Sequence, residues 1–89
     1  MESVTFDRSL FEVRPVIQVR ALSDFHLELL FSTGEARIFD ARPYLDTGVF
    51  RRLRDSELFQ QAYVALNTVC WPGNLDIAPE TLYRGSVPI

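Results

Sequence analysis

Residues 15–40 read PVIQVRALSDFHLELLFSTGEARIFD, and three strands can be traced in them. From Val16 to Leu22 the β-branched content is high, and Ile17, Val19 and Ala21 alternate with Gln18 and Arg20 as a half-buried strand would. Ser23-Asp24 is a two-residue turn signal. After it Phe25, Leu27, Leu29 and Phe31 fall at period two, with His26 and Glu28 between them. Ser32-Thr33-Gly34-Glu35 forms a loop whose glycine can take positive φ, and Ala36 to Asp40 returns as a third strand. Pro15 marks the entry into extended structure. These residues predict an antiparallel three-strand meander.

Beyond Asp40 the period changes. Pro43 and Gly48 punctuate the chain, and Val49, Phe50 and Leu53 take the spacing of a short helix. Asp55 or Ser56 can cap a second short helix with Leu58, Phe59 and Ala62 on its inner side. Neither is long enough to be stable alone, so both must be held by the sheet. Tyr63–Leu66 and Val69–Trp71 predict two further short strands, Pro72-Gly73-Asn74 a turn, and Pro79–Tyr83 a last helical turn. The fold class is therefore α+β, built on a small antiparallel sheet.

The chain has 89 residues, which leaves room for one domain spanning residues 1–89. So short a chain needs a core dense in large side chains, and seven Phe, three Tyr and one Trp supply it. Residues 1–14 carry Phe6, Leu10, Phe11 and Val13, too much apolar character for a free tail, so this segment is expected to pack on the body. The apolar runs are far shorter than the ~20 residues that cross a bilayer, and no apolar leader is visible; a cytoplasmic protein without membrane association is expected. Cys70 is the sole cysteine, which excludes an internal disulfide, a CxxC pair and a cysteine zinc site. A net charge of −3 argues against a broad nucleic-acid footprint. All nine basic residues are Arg.

A group of short phrases recurs together here: Gly34-Glu35, Phe39-Asp40, Pro43-Tyr44-Leu45, Phe50 and Leu53 before Asp55, Phe59, and Trp71-Pro72-Gly73-Asn74 with Asp76, Pro79, Leu82 and Tyr83. Over about residues 15–83 the chain resembles the small prokaryotic family catalogued as domain of unknown function 2442. The resemblance implies an α+β domain without an established activity. Some relatives carry a DNA-binding helix-turn-helix module after this domain, and the small toxin-like proteins near which relatives are often encoded imply a regulatory partner role.

Four groups of residues are candidates for function. His26 is the only histidine and could serve as a general base, but no nucleophile, metal or phosphate motif accompanies it, and a hydrogen-bonded strand residue is the expected reading. Asp40 and Asp76 could converge on a metal or share a proton; alternatively each fixes a turn by accepting backbone N–H bonds. Trp71, Tyr44 and Tyr83 could line a groove or belong to the core and its rim, with Leu75 or Ile77 covering Trp71. Arg51, Arg52 and Arg54 surround Phe50 and Leu53, with Arg42 not far before. They form the best candidate binding patch, unless Asp46, Asp55 and Glu57 merely offset a solvated face.

The first expectation is thus a non-catalytic module, a regulator or adaptor that binds another small protein through Arg51, Arg52 and Arg54 or through a sheet edge. A homodimer is a further expectation. The alternative is a small-ligand or metal-binding domain using Asp40, Trp71, Asp76 and Tyr83. An enzyme component completed by a partner, and a DNA-associated regulator, rank lower. No cofactor is expected.

Overall fold

The computed structural model describes residues 14–89. The expectation that the N-terminal segment packs on the body lies, for residues 1–13, outside the described residues. Within them the meander is present as β1 (Val16–Ala21), β2 (His26–Phe31) and β3 (Ala36–Asp40). A 3-10 turn at Arg42–Tyr44 and a 3-10 helix at Gly48–Arg54 follow, then helix α1 (Ser56–Phe59). The chain continues through β4 (Tyr63–Ala65), β5 (Thr68–Trp71), β6 (Leu75–Ile77), helix α2 (Pro79–Arg84) and β7 (Ser86–Pro88). The strands form two antiparallel sheets, one ordered β1-β2-β3-β7 and one β4-β5-β6.

Period two in β2 does what its pattern demands: Leu27, Leu29 and Phe31 are buried, while His26, Glu28 and Leu30 are turned the other way and only partly covered. Strand β1 departs from its apparent phase. Its register against β2 shifts between Val16 and Gln18, so Val16 packs into the core while Ile17 is 51% exposed. A one-residue irregularity reverses the face of every side chain before it, and here it reverses the expectation for Ile17.

The core joins both sheets: Leu27, Leu29, Phe31 and Phe39 from the larger, Val69, Trp71, Leu75 and Ile77 from the smaller, with Leu53, Phe59 and Leu82 from the helical segments. Trp71 is fully buried, and its indole N–H donates to the Phe59 carbonyl at 3.0 Å. Leu75, one of the two residues expected to cover it, is its cross-strand partner and is buried in the same core. The backbone N–H of Val16 donates to the Asn67 carbonyl at 3.0 Å and ties the β4–β5 turn to β1. The expected cap is Asp55, whose carboxylate accepts from the Glu57 N–H at 3.0 Å.

Two strands were not foreseen. β6 uses the residues after the Pro72–Asn74 turn, and β7 brings the chain back beside β3, with Val87 opposite Ile38. Both are three residues long, too short for an alternation to register, and Pro88 is tolerated because β7 lies at the sheet edge.

The β4–β5 turn holds Leu66 at φ 53° and Asn67 at φ 68°. Such a hairpin turn favours Asn-Gly, yet Leu66 is 87% exposed and gains little from burial there. Leu66→Asn is therefore expected to stabilise the domain by about 0.5–1 kcal/mol through relief of left-handed strain, seen as an upward shift of the urea midpoint.

Candidate functional site

The Gly48–Arg54 helix starts where Gly48 takes φ 51° and Phe50 N–H donates to the Thr47 carbonyl at 3.0 Å. In a 3-10 helix, side chains three residues apart eclipse one another, so this segment has three columns. Phe50 and Leu53 form the inner one, and Leu53 is buried. Val49 stands above Arg52, and Arg51 above Arg54. The hydrophobic pair thus fixes both outer columns toward solvent.

Little of the charge on these columns is neutralised. Arg54 meets Asp46 at 3.3 Å, with both side chains largely in water, where such a pair contributes at most about 1 kcal/mol. Arg52 donates from Nη1 to the Gly73 carbonyl at 3.4 Å. Arg51 forms no hydrogen bond or ion pair among the described residues. Of the neighbouring carboxylates, Asp55 is spent on its helix cap and Glu57 pairs with none of the three arginines. Gly73, at φ 92°, lies directly under Arg52: a Cβ there would fall 2.5 Å from Nη2.

Arg42 is differently placed. Its Nε and Nη2 donate to the two oxygens of Asp40 at 3.0 and 2.9 Å, its backbone N–H donates to Asp40 Oδ1 at 2.9 Å, and Nη1 reaches Asp24 at 3.4 Å. Asp40 thus fixes the exit from β3, as its turn-setting reading requires. His26 lies opposite Asp40 across the β2–β3 ladder. Its Nδ1 is 2.9 Å from the Asp24 carbonyl and its Nε2 3.8 Å from Asp40 Oδ2. The Nδ1 contact ties the ring to the turn before β2, while the Nε2 separation from Asp40 is longer than a hydrogen bond.

The Arg42 fork holds the Asp40 carboxyl at about 2, below its ordinary 3.8, with its N–H bond and the charges of Arg42 and His26 adding to the effect and burial opposing it. A depressed carboxylate stabilises the fold above its unfolded pKa and loses that contribution as pH falls through the folded value. The contribution is therefore expected to be complete above about pH 4 and lost toward pH 2. Because the Asp40 side chain is 37% exposed, solvent screening limits it to about 1 kcal/mol or less. Asp40→Asn should remove this part of the acid dependence, measured by urea unfolding at stepped pH.

Trp71 lies in the core, and Asp76 is an exposed residue of β6 opposite Cys70. Tyr83, on α2, donates its hydroxyl to Glu35 at 2.9 Å. The guanidinium groups of Arg37 and Arg14 lie 4.2 and 4.3 Å from its ring centre. No hydrogen bond, ion pair or ring contact joins Asp40, Trp71, Asp76 and Tyr83 to one another among the described residues. No group of three or more His, Cys, Asp or Glu side chains among them is arranged to hold a metal ion. Burial and the Asp76 charge push the Cys70 thiol up, away from the thiolate.

Sequence reasoning missed the network around Arg37. Its Nε donates to Ser86 Oγ at 2.7 Å, Nη2 donates to the Ser86 carbonyl at 2.8 Å, and Nη1 lies 3.6 Å from Glu35. It also missed a groove of about 630 Å³ bordered by Gln18, Arg20, Glu28, Leu30 and Tyr63. The charged pair in that groove is self-satisfied, with Arg20 Nε donating to Glu28 at 2.8 Å.

Residues 16–88 match the family model described as Protein of unknown function (DUF2442), and the chain belongs to that family. No curated protein and no solved structure matches it. No helix among the described residues is long and apolar enough to cross a membrane.

Proposed function

We propose that this member of the DUF2442 family is a non-catalytic interaction module that binds an acidic surface of another protein through Arg51, Arg52 and Arg54. One observation carries the reading: three arginines project from a helix whose hydrophobic column is locked in the core, and Arg51 has no partner within the described residues. Arginine is suited to this role because its planar fork binds carboxylates bidentately and its weak hydration lowers the cost of burial at an interface. The family's description assigns no activity, and the reading rests on the patch alone.

The test is a tagged pull-down from the native host, comparing the wild-type chain with the Arg51→Ala, Arg52→Ala, Arg54→Ala triple variant. All three side chains are exposed, so the variant should keep its urea midpoint. A stoichiometric protein partner is expected with the wild type, its recovery falling by at least ~10-fold in the variant. Equal recovery would overturn the reading, as would recovery of the chain alone.

A further inference from the structure

The arginine helix does not stand by itself on the surface. Arg52 is shared with the Trp71–Leu75 turn: its guanidinium lies over Gly73, whose carbonyl accepts from Nη1 and whose missing side chain provides the space. That turn is anchored at both ends, since Trp71 and Leu75 are buried and paired with each other. Between them Pro72, Gly73 and Asn74 are exposed, with Gly73 and Asn74 held at φ 92° and 66°. Three residues before Arg52, in the same helical column, Val49 is 61% exposed. An aliphatic side chain, a guanidinium and a firmly held proline turn are thus connected, and the column of Arg51 and Arg54 runs beside them.

We propose that Val49, Arg52 and the Pro72–Asn74 turn form one recognition surface for an acidic polypeptide segment carrying an apolar side chain. This rests on the reading of the arginine helix given above. Carboxylates of the segment pair with Arg51, Arg52 and Arg54, while its apolar residue packs on Val49 and Pro72. Charge complementarity selects the occupant. A polyanion such as a nucleic acid gains from many cations spread along its backbone, but here three are confined to one short helix, Asp46 already sits on Arg54, and the chain as a whole carries −3. Exposed Val49 and Pro72 would contribute nothing to phosphate binding, whereas an apolar anchor ringed by arginine is typical of protein recognition. In this surface Gly73 is a positioning residue, acting through the guanidinium that rests on it.

The test follows amide resonances of the ¹⁵N-labelled chain during titration with two short synthetic glutamate-rich peptides of equal charge, one with a central leucine and one with glycine there. A DNA duplex of comparable charge is titrated in parallel. The expected result is that Val49, Arg51, Arg52, Gly73, Asn74 and Arg54 shift together, that the leucine peptide binds roughly threefold to tenfold more tightly, and that Val49→Ser abolishes that advantage. Shifts confined to Arg51–Arg54 and equal for both peptides would overturn the composite surface while leaving the arginine helix as a binding site. Absence of shifts with either peptide would overturn both. Tighter binding of the duplex would overturn the assignment of a polypeptide partner.

Discussion

Replacing Trp71 with alanine is expected to destabilise the domain by about 3–5 kcal/mol, the largest effect of any single substitution considered. Its side chain is fully buried where the two sheets and α1 meet, 5.8 Å from the Phe59 ring centre, with its indole N–H satisfied by the Phe59 carbonyl. Alanine removes the packing, leaves a cavity bordered by residues of both sheets, and deprives that carbonyl of the shorter of its two bonds, leaving the Ala62 N–H at 3.3 Å. Domains of this size are stable by about 5–15 kcal/mol, so the variant should be largely unfolded at modest urea. Trp71→Phe separates the contributions: it keeps most of the apolar volume but loses the donor, and should cost about 1–3 kcal/mol. Urea unfolding of both variants measures the difference, and a Phe variant as unstable as the Ala variant would assign the effect to the hydrogen bond instead of the packing.

The second large effect is expected at Arg37. Only 13% of its side chain is exposed, and it joins three elements, donating twice to Ser86 at the start of β7 and lying 4.2 Å from the ring centre of Tyr83 on α2. Charge-assisted hydrogen bonds of this kind contribute about 1.5–3 kcal/mol and a cation–π contact about 0.5–2 kcal/mol. Arg37→Ala should therefore cost about 2–4 kcal/mol in total. Arg37→Lys should recover little of it, because a single ammonium cannot reproduce the planar fork. The loss should be concentrated in the C-terminal part. Hydrogen exchange of the α2 and β7 amides is expected to accelerate more than that of β2, and uniform acceleration would contradict the assigned role.

These two sites also show how far the sequence could be read. The meander was legible because Leu27, Leu29 and Phe31 keep period two and turn residues flank the run, although Phe25, which the same pattern includes, lies in the Ser23–Phe25 turn at φ 61° and not in β2. Its first strand was legible in extent but not in phase, since a register irregularity between Val16 and Gln18 leaves no mark on composition. β6 and β7 were illegible for a different reason: three residues cannot establish a period, and β7 is held by pairing with β3 and by the bond of Ser86 to Arg37, forty-nine positions earlier. The family resemblance carried by the phrases from Gly34-Glu35 to Tyr83 agrees with the family match over residues 16–88, and it strengthened the fold without adding an activity.

The arginine patch was visible because its residues are consecutive. Its meaning depended on facts that spacing does not carry, namely which of Asp46, Asp55 and Glu57 reaches an arginine and what lies beneath Arg52. The cross-strand pairing of His26 with Asp40 could have been found by counting register back from the Gly34 turn. Asp40 is a ligand candidate in the sequence as an acidic residue of the recurring phrases, and Tyr83 as an aromatic with a polar tip. What spacing does not carry is their structural contacts, Asp40 at the exit of β3 and Tyr83 between Arg37 and Glu35.

The claim that the Gly48–Arg54 helix is a protein-binding surface is tested most directly by a photo-crosslinking side chain introduced at Val49, with the same group at exposed Glu80 on α2 as control, both irradiated in the native host. A discrete protein adduct is expected from position 49 only, its crosslinked peptide rich in Asp and Glu. Equal adducts from both positions, or an adduct with nucleic acid alone, would contradict it.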